Sequence, residues 1–379
     1  MVRFPMRFPR WLGPLTLGAA LLAPAAALPQ ERALPFTFEI DSAPVIELYD
    51  SDLETSDSNT PVHWAHGRVY AFVSHFLPKG HSYRRSGTGL DSLEAGAIPI
   101  EITNDRTPHV GKWIEATYRD SDGTLFGWYH AETDGPCNRP DAKLPIIGAA
   151  LSRNGGITWI DLGPVMEAPA EAYNCDMQNG FFAGGLGDFS VIADRDQGFF
   201  YFLFSNYDRR LRQQGIAIAR MAYDARSNPR GQVWKWRNGE WSEPGLGGRT
   251  TPIFAALRNF RYADPDSYWG PAIHYNTYLG GYVMVLNRTA QGASDWWQEG
   301  IYITFTKDIS DPRSWAVPEK LMSGGDWYPE IIGTEPGQSD TLAGQRARFF
   351  MSGYSAWAIA FHKKAGDTQA GDAGDRDVR

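Results

Sequence analysis

Pairs of short apolar runs, joined by turns that contain Gly or Asp, recur along the whole chain. The runs have the length of strands and are rich in β-branched and aromatic residues, which favour β-structure. The clearest pairs begin at Pro61, Trp113, Asp188, Gly270 and Tyr328, which are 52, 75, 82 and 58 residues apart. Periodicity of the α-helical kind is almost absent. The pattern therefore predicts an all-β fold built from repeated hairpins.

Several of these hairpins are followed by a third apolar run, as at Ile147, Gly215 and Gly300. Four-stranded units repeated about five times are typical of a β-propeller, in which each blade buries both faces against its neighbours. We therefore predict a five-bladed β-propeller of mostly four-stranded antiparallel blades. The early run at residues 36–40, or the one that begins at Val45, is expected to complete the last blade and close the ring.

The two ends of the chain differ from the repeated part. Arginines precede an apolar stretch at residues 11–22, and the alanines at 25–27 provide a signal-peptidase site. This stretch is shorter than the about 20 apolar residues of a membrane span. We predict a signal peptide at 1–27, a single propeller domain at 28–361 and a disordered tail at 362–379, which is poor in apolar residues. The mature protein is then secreted or periplasmic.

The net charge of the chain limits the kinds of partner that the protein is expected to bind. Residues 1–27 contain three arginines and no acidic residue, so their removal would change the net charge from −8 to −11. An acidic surface disfavours nucleic acid and anionic membranes as partners. It suits a neutral ligand, although plain solubility explains it at least as well. We expect a monomer.

The chain has two cysteines, Cys137 and Cys175. In an exported protein they can form a disulfide. The bond would close a loop of 38 residues and stabilise the fold by about 3–4 kcal/mol. A metal site with two cysteine ligands is the alternative.

Polar residues on the predicted innermost strands are the candidates for chemistry. These strands line the central channel of a propeller, so side chains from different blades point to one funnel. The candidates are the acids Asp57, Glu115, Asp188 and Glu330, and the further residues Asn59, Trp269 and His274. Like charges repel and burial raises carboxyl pKa values, so several acids that share one pocket indicate a function.

This arrangement resembles the five-bladed propeller glycoside hydrolases, the arabinanase and β-xylosidase family and the related invertase-type family. Asp57 in "SDSNTPVHW" lies near the family's first-blade base or nucleophile, although the usual Asp-Pro order is absent. Asp188 in "GDFSVI" matches the middle-blade aspartate that orients substrate or tunes a pKa. In "YWGPAIHY", Trp269 stands where the family has its proton-donating glutamate. Glu330 or Glu115 is therefore the expected proton donor.

The resemblance lies in the arrangement of the blades and extends over most of the predicted mature chain. It implies a secreted enzyme that cleaves a glycosidic bond in a poly- or oligosaccharide with two carboxyl groups, one as acid and one as base or nucleophile. The family analogy favours inversion of the anomeric configuration. The chain is also similar to exported bacterial propeller proteins of unassigned activity. This similarity supports the predicted fold and indicates no particular reaction.

Aromatic and basic residues outside the acidic set are candidates for substrate binding. Stacking on a sugar ring is expected of Trp269, Trp327 and, above all, the adjacent pair Trp296 and Trp297. Packing between blades is the alternative for any single tryptophan. His81 and Arg84 lie in a segment that can form the rim of the funnel. No cofactor is required, and a structural calcium at the ring axis is compatible with the sequence.

Four functions are alternatives to the predicted hydrolysis of a glycosidic bond by two carboxyl groups. A non-catalytic carbohydrate-binding propeller is the main alternative, because Trp269 replaces the family's glutamate. A sialidase would need a cluster of three arginines, and its usual N-terminal arginine motif is missing. A polysaccharide lyase would use a tyrosine or histidine base rather than acids. A serine hydrolase is disfavoured because no Gly-x-Ser-x-Gly motif occurs.

Overall fold

β-Strands form where the sequence has its apolar runs. The computed structural model describes residues 32–50, 54–76, 80–107, 110–135, 137–196, 198–292 and 298–364. Helical turns in these ranges are the short segments Leu90–Ser92, Ala170–Ala172, Leu211–Gln213 and Tyr223–Ser227. The described residues contain no helix with both the length and the apolar character to cross a membrane. The predicted all-β class is confirmed.

The strands form five sheets, which are the blades of a propeller. β1 (Phe36–Glu47) precedes the first blade along the chain. Blade 1 consists of β2 (Val62–Ala65), β3 (Arg68–His75), β4 (His81–Gly87) and β5 (Ile98–Pro99). Blade 2 consists of β6 (Glu101–Thr103), β7 (Lys112–Arg119), β8 (Leu125–Asp134), β9 (Lys143–Ser152) and β10 (Thr158–Met166), with β7 innermost and β6 outermost.

The remaining blades follow the same plan. Blade 3 consists of β11 (Leu186–Ala193), β12 (Phe199–Asn206), β13 (Gly215–Ala222), β14 (Val233–Arg237), β15 (Glu240–Pro244) and the short β16 (Phe254–Ala255). Blade 4 consists of β17 (Ser267–Asn276), β18 (Gly281–Thr289), β19 (Gln298–Thr306) and β20 (Glu319–Ser323). Blade 5 consists of β21 (Pro329–Ile332), β23 (Arg346–Met351), β24 (Tyr354–Lys363) and β1, while β22 (Leu342–Ala343) pairs with β17. The predicted five-bladed plan is confirmed.

The first strand of the chain closes the ring, as predicted. β1 pairs antiparallel with β24, from Phe36 opposite Lys363 to Glu47 opposite Tyr354. Both early runs that the sequence offered for this role lie in β1. The pairing also extends β24 two residues past the predicted domain end at 361. The predicted signal peptide, and the tail from 365 onward, lie outside the described residues.

Each pair of neighbouring blades encloses its own apolar cluster. Blades 1 and 2 share the cluster that contains Trp159, blades 2 and 3 that of Phe202, and blades 3 and 4 that of Met284. Ile303 lies between blades 4 and 5. A fifth cluster with Phe350 joins blade 5 to blade 1. The apolar faces of all five blades are therefore buried against a neighbour, which holds the ring closed.

The predicted disulfide is present between Cys137 and Cys175, whose Cα atoms are 5.2 Å apart. It links the segment between β8 and β9 to the segment between β10 and β11. The second segment also carries Phe181 and Phe182, which line the candidate site described next. The covalent bond therefore restrains part of the wall of that site.

Candidate active site

β-Bulges direct two acidic side chains out of the inner strands. Ile114 and Ala116 of β7 pair with adjacent residues of β8, so Glu115 between them has no partner in the register. In the same way, Gly187 and Phe189 of β11 pair with adjacent residues of β12, and Asp188 has no partner in the register. A bulge re-aims a side chain away from the regular alternation of a strand. Both acids consequently line one cavity.

This cavity has a volume of about 250 Å³. Its polar lining consists of Asp57, Glu115, Glu132, Asp188 and His130. Its aromatic lining consists of Phe76, Trp113, Phe181, Phe182, Trp269, Trp327 and Tyr328. Apolar walls with a few convergent polar groups are typical of ligand sites. The structure thus brings together three of the four acids that the sequence proposed.

Asp57 is fixed in the cavity by neighbouring blades. Its backbone N–H donates to Ser74 O at 2.8 Å, and its Oδ2 accepts a hydrogen bond from Trp113 Nε1 at 3.0 Å. Burial raises the pKa of Asp57 to about 7, and the charges of Asp188 and Glu132 act in the same direction. Near neutral pH this carboxyl group therefore exchanges between its acid and carboxylate forms.

Asp188 is buried and accepts hydrogen bonds from two tyrosines. Tyr207 Oη donates to Oδ2, and Tyr328 Oη donates to Oδ1 at 3.3 Å. Tyr207 follows β12 and Tyr328 precedes β21, so blades 3 and 5 orient the same carboxylate. Burial raises the pKa of Asp188 above its ordinary value, although the charge of His130 and the tyrosine hydroxyls act in the opposite direction. The hydroxyls favour the ionised form, because a carboxylate only accepts hydrogen bonds.

His130 lies among three acidic residues. Its Nδ1 is 3.4 Å from Glu115 Oε1, and its Nε2 is 3.7 Å from Glu132 Oε1. Burial lowers the pKa of His130, but Glu115, Glu132 and Asp188 outweigh burial and raise it well above its usual value. The acidic neighbours of the ring therefore favour its protonated form. The backbone N–H of Asp188 lies 3.3 Å from the same Nδ1 atom and donates to it when that nitrogen carries no proton.

A glycine makes room for this ring. A Cβ atom on Gly187 would lie 2.6 Å from His130 Cε1 and 3.0 Å from Pro145 Cβ. These distances are well inside the about 3.5–4.0 Å at which carbon atoms pack. Gly187 thus lets β11 approach β8 closely enough for Asp188 and His130 to share the cavity.

Three of the polar groups also have the spacing of metal ligands. Atoms of Glu115, His130 and Asp188 lie within 4.8 Å of one another. One nitrogen and two carboxylates suit a transition metal better than calcium, which prefers oxygen ligands. Binding would require His130 to lose its proton and Glu115 to give up its contact with that ring. The expectation that the chain needs no cofactor stays a prediction.

Aromatic side chains from several segments form the walls of the cavity. Trp269 and Trp327 meet edge to face with centroids 5.6 Å apart, and Trp327 meets Phe181 at 6.1 Å. Trp269 is buried among these rings, so it acts as wall rather than as an exposed platform. Trp327, Phe181 and the exposed Phe76 present ring surface to the opening.

A second groove continues the cavity on one side. It has a volume of about 480 Å³ and shares Asp57, Phe76, Trp327 and Tyr328 with the first. The groove adds polar groups from Glu54, Thr55, Ser56, Asp326 and Ser352. Asp57 therefore stands where an aromatic pocket meets a polar groove. This layout can hold a ligand longer than the cavity itself.

Glu330 lies apart from this cavity, contrary to its expected role as proton donor. It faces a small void of about 10 Å³, which Glu115 also borders, and its Oε1 accepts the backbone N–H of Thr60 at 2.8 Å. Burial raises the pKa of Glu330 well above its ordinary value. The hairpin register turns this side chain towards Thr60 in blade 1, so it joins the blades and does not face the aromatic pocket.

Two further predicted binding residues also have structural contacts. Asn59 Nδ2 donates to Phe189 O and to Pro271 O, both at 2.9 Å, and so joins the inner strands of blades 3 and 4. His274 is buried beside the same small void as Glu330, and burial lowers its pKa to about 3. Neither residue lines the main cavity.

The predicted rim residues lie on the third strand of blade 1. Arg84 Nη1 donates to Gly155 O of the next blade at 2.8 Å, and the ring of His81 meets Tyr83 at 5.1 Å. Neither side chain lines the cavity or its groove, because β4 is separated from the channel by β2 and β3. The predicted pair Trp296 and Trp297 lies outside the described residues.

No protein-family model matches the sequence, and no curated protein matches it significantly. Solved structures of glycoside hydrolases resemble the chain at low sequence identity. A GH43 β-1,3-galactosidase with galactodeoxynojirimycin has 15% identity and a TM-score of 0.48, covering 84% of this chain and 93% of its own. The native arabinanase of Bacillus subtilis has 14% identity, a TM-score of 0.43 and coverages of 81% and 96%.

A third such structure is the catalytic domain of a GH62 α-L-arabinofuranosidase from Coprinopsis cinerea. It has 10% identity and a TM-score of 0.47, and the alignment covers 88% of this chain and 99% of the other.

Sequence reasoning missed several residues that shape the site. His130 and Glu132 lie on β8, the second strand of blade 2, whereas the predicted candidates lie on innermost strands. Trp113 and Tyr328 each precede a predicted acid by two residues, Glu115 and Glu330 respectively. Strand alternation does not predict these two residues, because Glu115 lies in a bulge and Glu330 lies outside the cavity.

Proposed function

We propose that this protein hydrolyses a glycosidic bond in a poly- or oligosaccharide, with Asp57 as general acid and Asp188 as the carboxylate that activates water. These roles differ from those that the family resemblance implies, in which Asp57 is the base or nucleophile and Glu330 or Glu115 is the proton donor. The observation that carries the proposal is that the carboxyl groups of Asp57 and Asp188 line the same cavity. Asp57 has a pKa raised to about 7, partly by the charge of Asp188, within a single aromatic-lined cavity. Two carboxyl groups with different environments are the requirement of this chemistry.

Each proton transfer of the reaction has a donor and an acceptor. Protonated Asp57 gives its proton to the glycosidic oxygen as the bond to the anomeric carbon breaks, and Asp188 takes a proton from the water that attacks that carbon. The sugar then carries positive charge in the transition state. The carboxylate of Asp188 lines the same cavity and stabilises this charge.

The test is product formation by the purified protein and two variants. We expect wild type to release sugars from a member of a panel of plant and microbial polysaccharides, and Asp57→Asn and Asp188→Asn to lose hydrolysis at least about a hundredfold while binding the same glycan. Glu330→Gln, outside the cavity, should keep the activity of its folded fraction. Proton NMR of the first product would show the anomer, which we expect to be inverted.

A non-catalytic carbohydrate-binding propeller is the second candidate. Three acids of the cavity accept hydrogen bonds from the protein: Asp57 from Trp113, Asp188 from Tyr207 and Glu115 from the backbone N–H of Phe189. Acids that only shape a polar pocket would show the same contacts. Binding without products from wild type, across the panel, would establish this alternative.

We also propose that the protein is exported. The disulfide between Cys137 and Cys175 supports this, because such bonds persist in oxidising compartments. Mass spectrometry of the protein recovered outside the cytoplasm should give an N-terminus at residue 28. A cytoplasmic protein that retains residues 1–27 would contradict the proposal.

A further inference from the structure

An arginine-rich cleft lies beside the candidate active site. It has a volume of about 410 Å³. Its polar lining includes Arg209, Arg258, Arg261, Tyr262, Asn174 and Asp176. None of these side chains lines the catalytic cavity. We call this feature the arginine cleft.

The arginine cleft and the catalytic cavity share one loop as a wall. Residues 174 and 176 face the cleft, and Phe181 and Phe182, a few positions further on, face the cavity. The Gln178 N–H donates to Arg261 O at 2.6 Å, which joins the loop to the opposite side of the cleft. The arginine cleft and the cavity are therefore neighbours on the two sides of this loop.

Two guanidinium groups in the cleft have no acidic partner within the described part of the chain. Arg258 is neutralised by Asp264, with Nη2 to Oδ1 at 2.7 Å. Arg209 and Arg261 make no ion pair with a described residue, and Asp176 is the acid that faces the same space. The chain as a whole has a net charge of −8. Such a local excess of positive charge in a concave surface attracts anions.

Tyr262 holds two of the arginines in position. Its ring lies 4.2 Å from the guanidinium carbon of Arg258 and 4.5 Å from that of Arg261. Arg261 Nη2 also donates to the Tyr262 hydroxyl at 2.7 Å. The other N–H groups of Arg261 remain available as a planar fork, the geometry that matches a carboxylate or sulfate. Because the group is already held, less entropy is lost on binding.

We propose that the arginine cleft binds the anionic group, carboxylate or sulfate ester, of an acidic sugar residue in the substrate. The proposal rests on the function proposed above and narrows its substrate class to acidic polysaccharides. The exposed Leu257 at the same cleft provides apolar surface for the C–H face of the sugar ring. The bond to be cut lies in the cavity, and the acidic residue lies further along the same chain.

The test measures binding by calorimetry with three probes: a galacturonic acid trimer, a galactose 6-sulfate oligomer and a neutral galactose trimer. We expect wild type to bind one of the two anionic probes at least about tenfold more tightly than the neutral one, and raised salt to reduce the difference. The probe that binds identifies the anion. The double variant Arg209→Gln and Arg261→Gln should lose this preference.

Arg153→Gln is the matched control, because it removes an exposed arginine from the turn between β9 and β10. It should keep the preference. Equal binding of all probes, binding of none, or a preference that survives the double variant would overturn the arginine cleft proposal. An arginine-dependent preference without hydrolysis would contradict only the proposed enzyme activity. Hydrolysis of neutral chains, equal in wild type and double variant and without anion preference, would contradict only the cleft.

Discussion

At the scale of single residues, environment distinguishes acids that look alike in the sequence. Asp57, Asp188 and Glu330 each occur at the start of a predicted inner strand, yet the first two face an aromatic cavity and the third faces Thr60. Residue type and approximate position were predictable for Asp57, Glu115 and Asp188. The direction of Glu330 depends on strand register and on a hydrogen bond across 270 residues of sequence, neither of which the sequence displays.

The pKa of Asp57 predicts the alkaline limb of the pH–rate profile. A general acid must be protonated, so the rate should fall as the pH rises through about 7. A rate that stays constant up to pH about 9, measured as kcat/KM on the best substrate, would contradict the assignment of Asp57 as the acid.

The same raised pKa predicts how stability depends on pH. Below 3.8, the usual value for aspartate, Asp57 is protonated in both folded and unfolded chains and contributes nothing. Above that value the unfolded chain ionises first, so wild type should lose stability as the pH rises towards about 7. Asp57→Asn should lose less over the same range. Urea unfolding at several pH values measures both slopes, and equal slopes would show that Asp57 has an ordinary pKa.

Tyr328→Phe tests the orientation of Asp188. The variant removes a hydroxyl that lowers the pKa of Asp188, so the acid limb of the pH–rate profile should move to higher pH. A hydrogen bond to a charged group contributes about 1.5–3 kcal/mol, so kcat should fall about tenfold or more. Tyr302→Phe removes a similar bond to Glu299 on blade 4 and should leave the profile unchanged. A change in the rate without a shift of the acid limb would mean that Tyr328 does not act through Asp188.

At the scale of elements, close contact between neighbouring blades builds the site. The glycines at residues 184–187 were visible in the sequence, and they allow β11 to approach the segment that carries His130. The bulges at Glu115 and Asp188 were not visible, because an extra residue in one strand is defined only by its partner strand. Hairpins and their order were therefore predictable, whereas the direction of these two acids was not.

Gly187→Ala tests this contact. The added Cβ would lie 2.6 Å from His130 Cε1 and 3.0 Å from Pro145 Cβ, so the variant should be less stable by about 1–3 kcal/mol and less active. Gly198→Ala in the same hairpin is the control, because its Cβ would meet only Asp194 Oδ2 at 3.5 Å. Thermal unfolding measures both variants. Equal effects of the two substitutions would show that the space beside His130 is not restricted.

At the scale of the whole molecule, closure of the ring brings distant residues together. The repeated hairpins predicted the number of blades, and the early apolar runs predicted the strand that completes the last one. Phe36 of β1 packs against Phe361 at 5.5 Å and against Phe305 of blade 4 at 5.6 Å. The start and the end of the described chain therefore contribute to one apolar cluster.

Phe36→Ala tests the closure. Loss of the buried ring should reduce the free energy of unfolding by about 3–5 kcal/mol. Thr37→Ala, at an exposed position on the same strand, should change it by less than about 0.5 kcal/mol. If urea unfolding gave similar values for the two variants, β1 would not hold the last blade in the ring.

The central claim is that ring closure places Asp57 and Asp188, 131 residues apart in the sequence, in one cavity where their charges interact. NMR titration of carboxyl-labelled aspartate measures the pKa of Asp57 directly, in wild type and in Asp188→Asn. A pKa of about 7 in wild type that decreases in the variant is the expected result. A pKa near 3.8 in wild type, or one that Asp188→Asn leaves unchanged, would contradict the account.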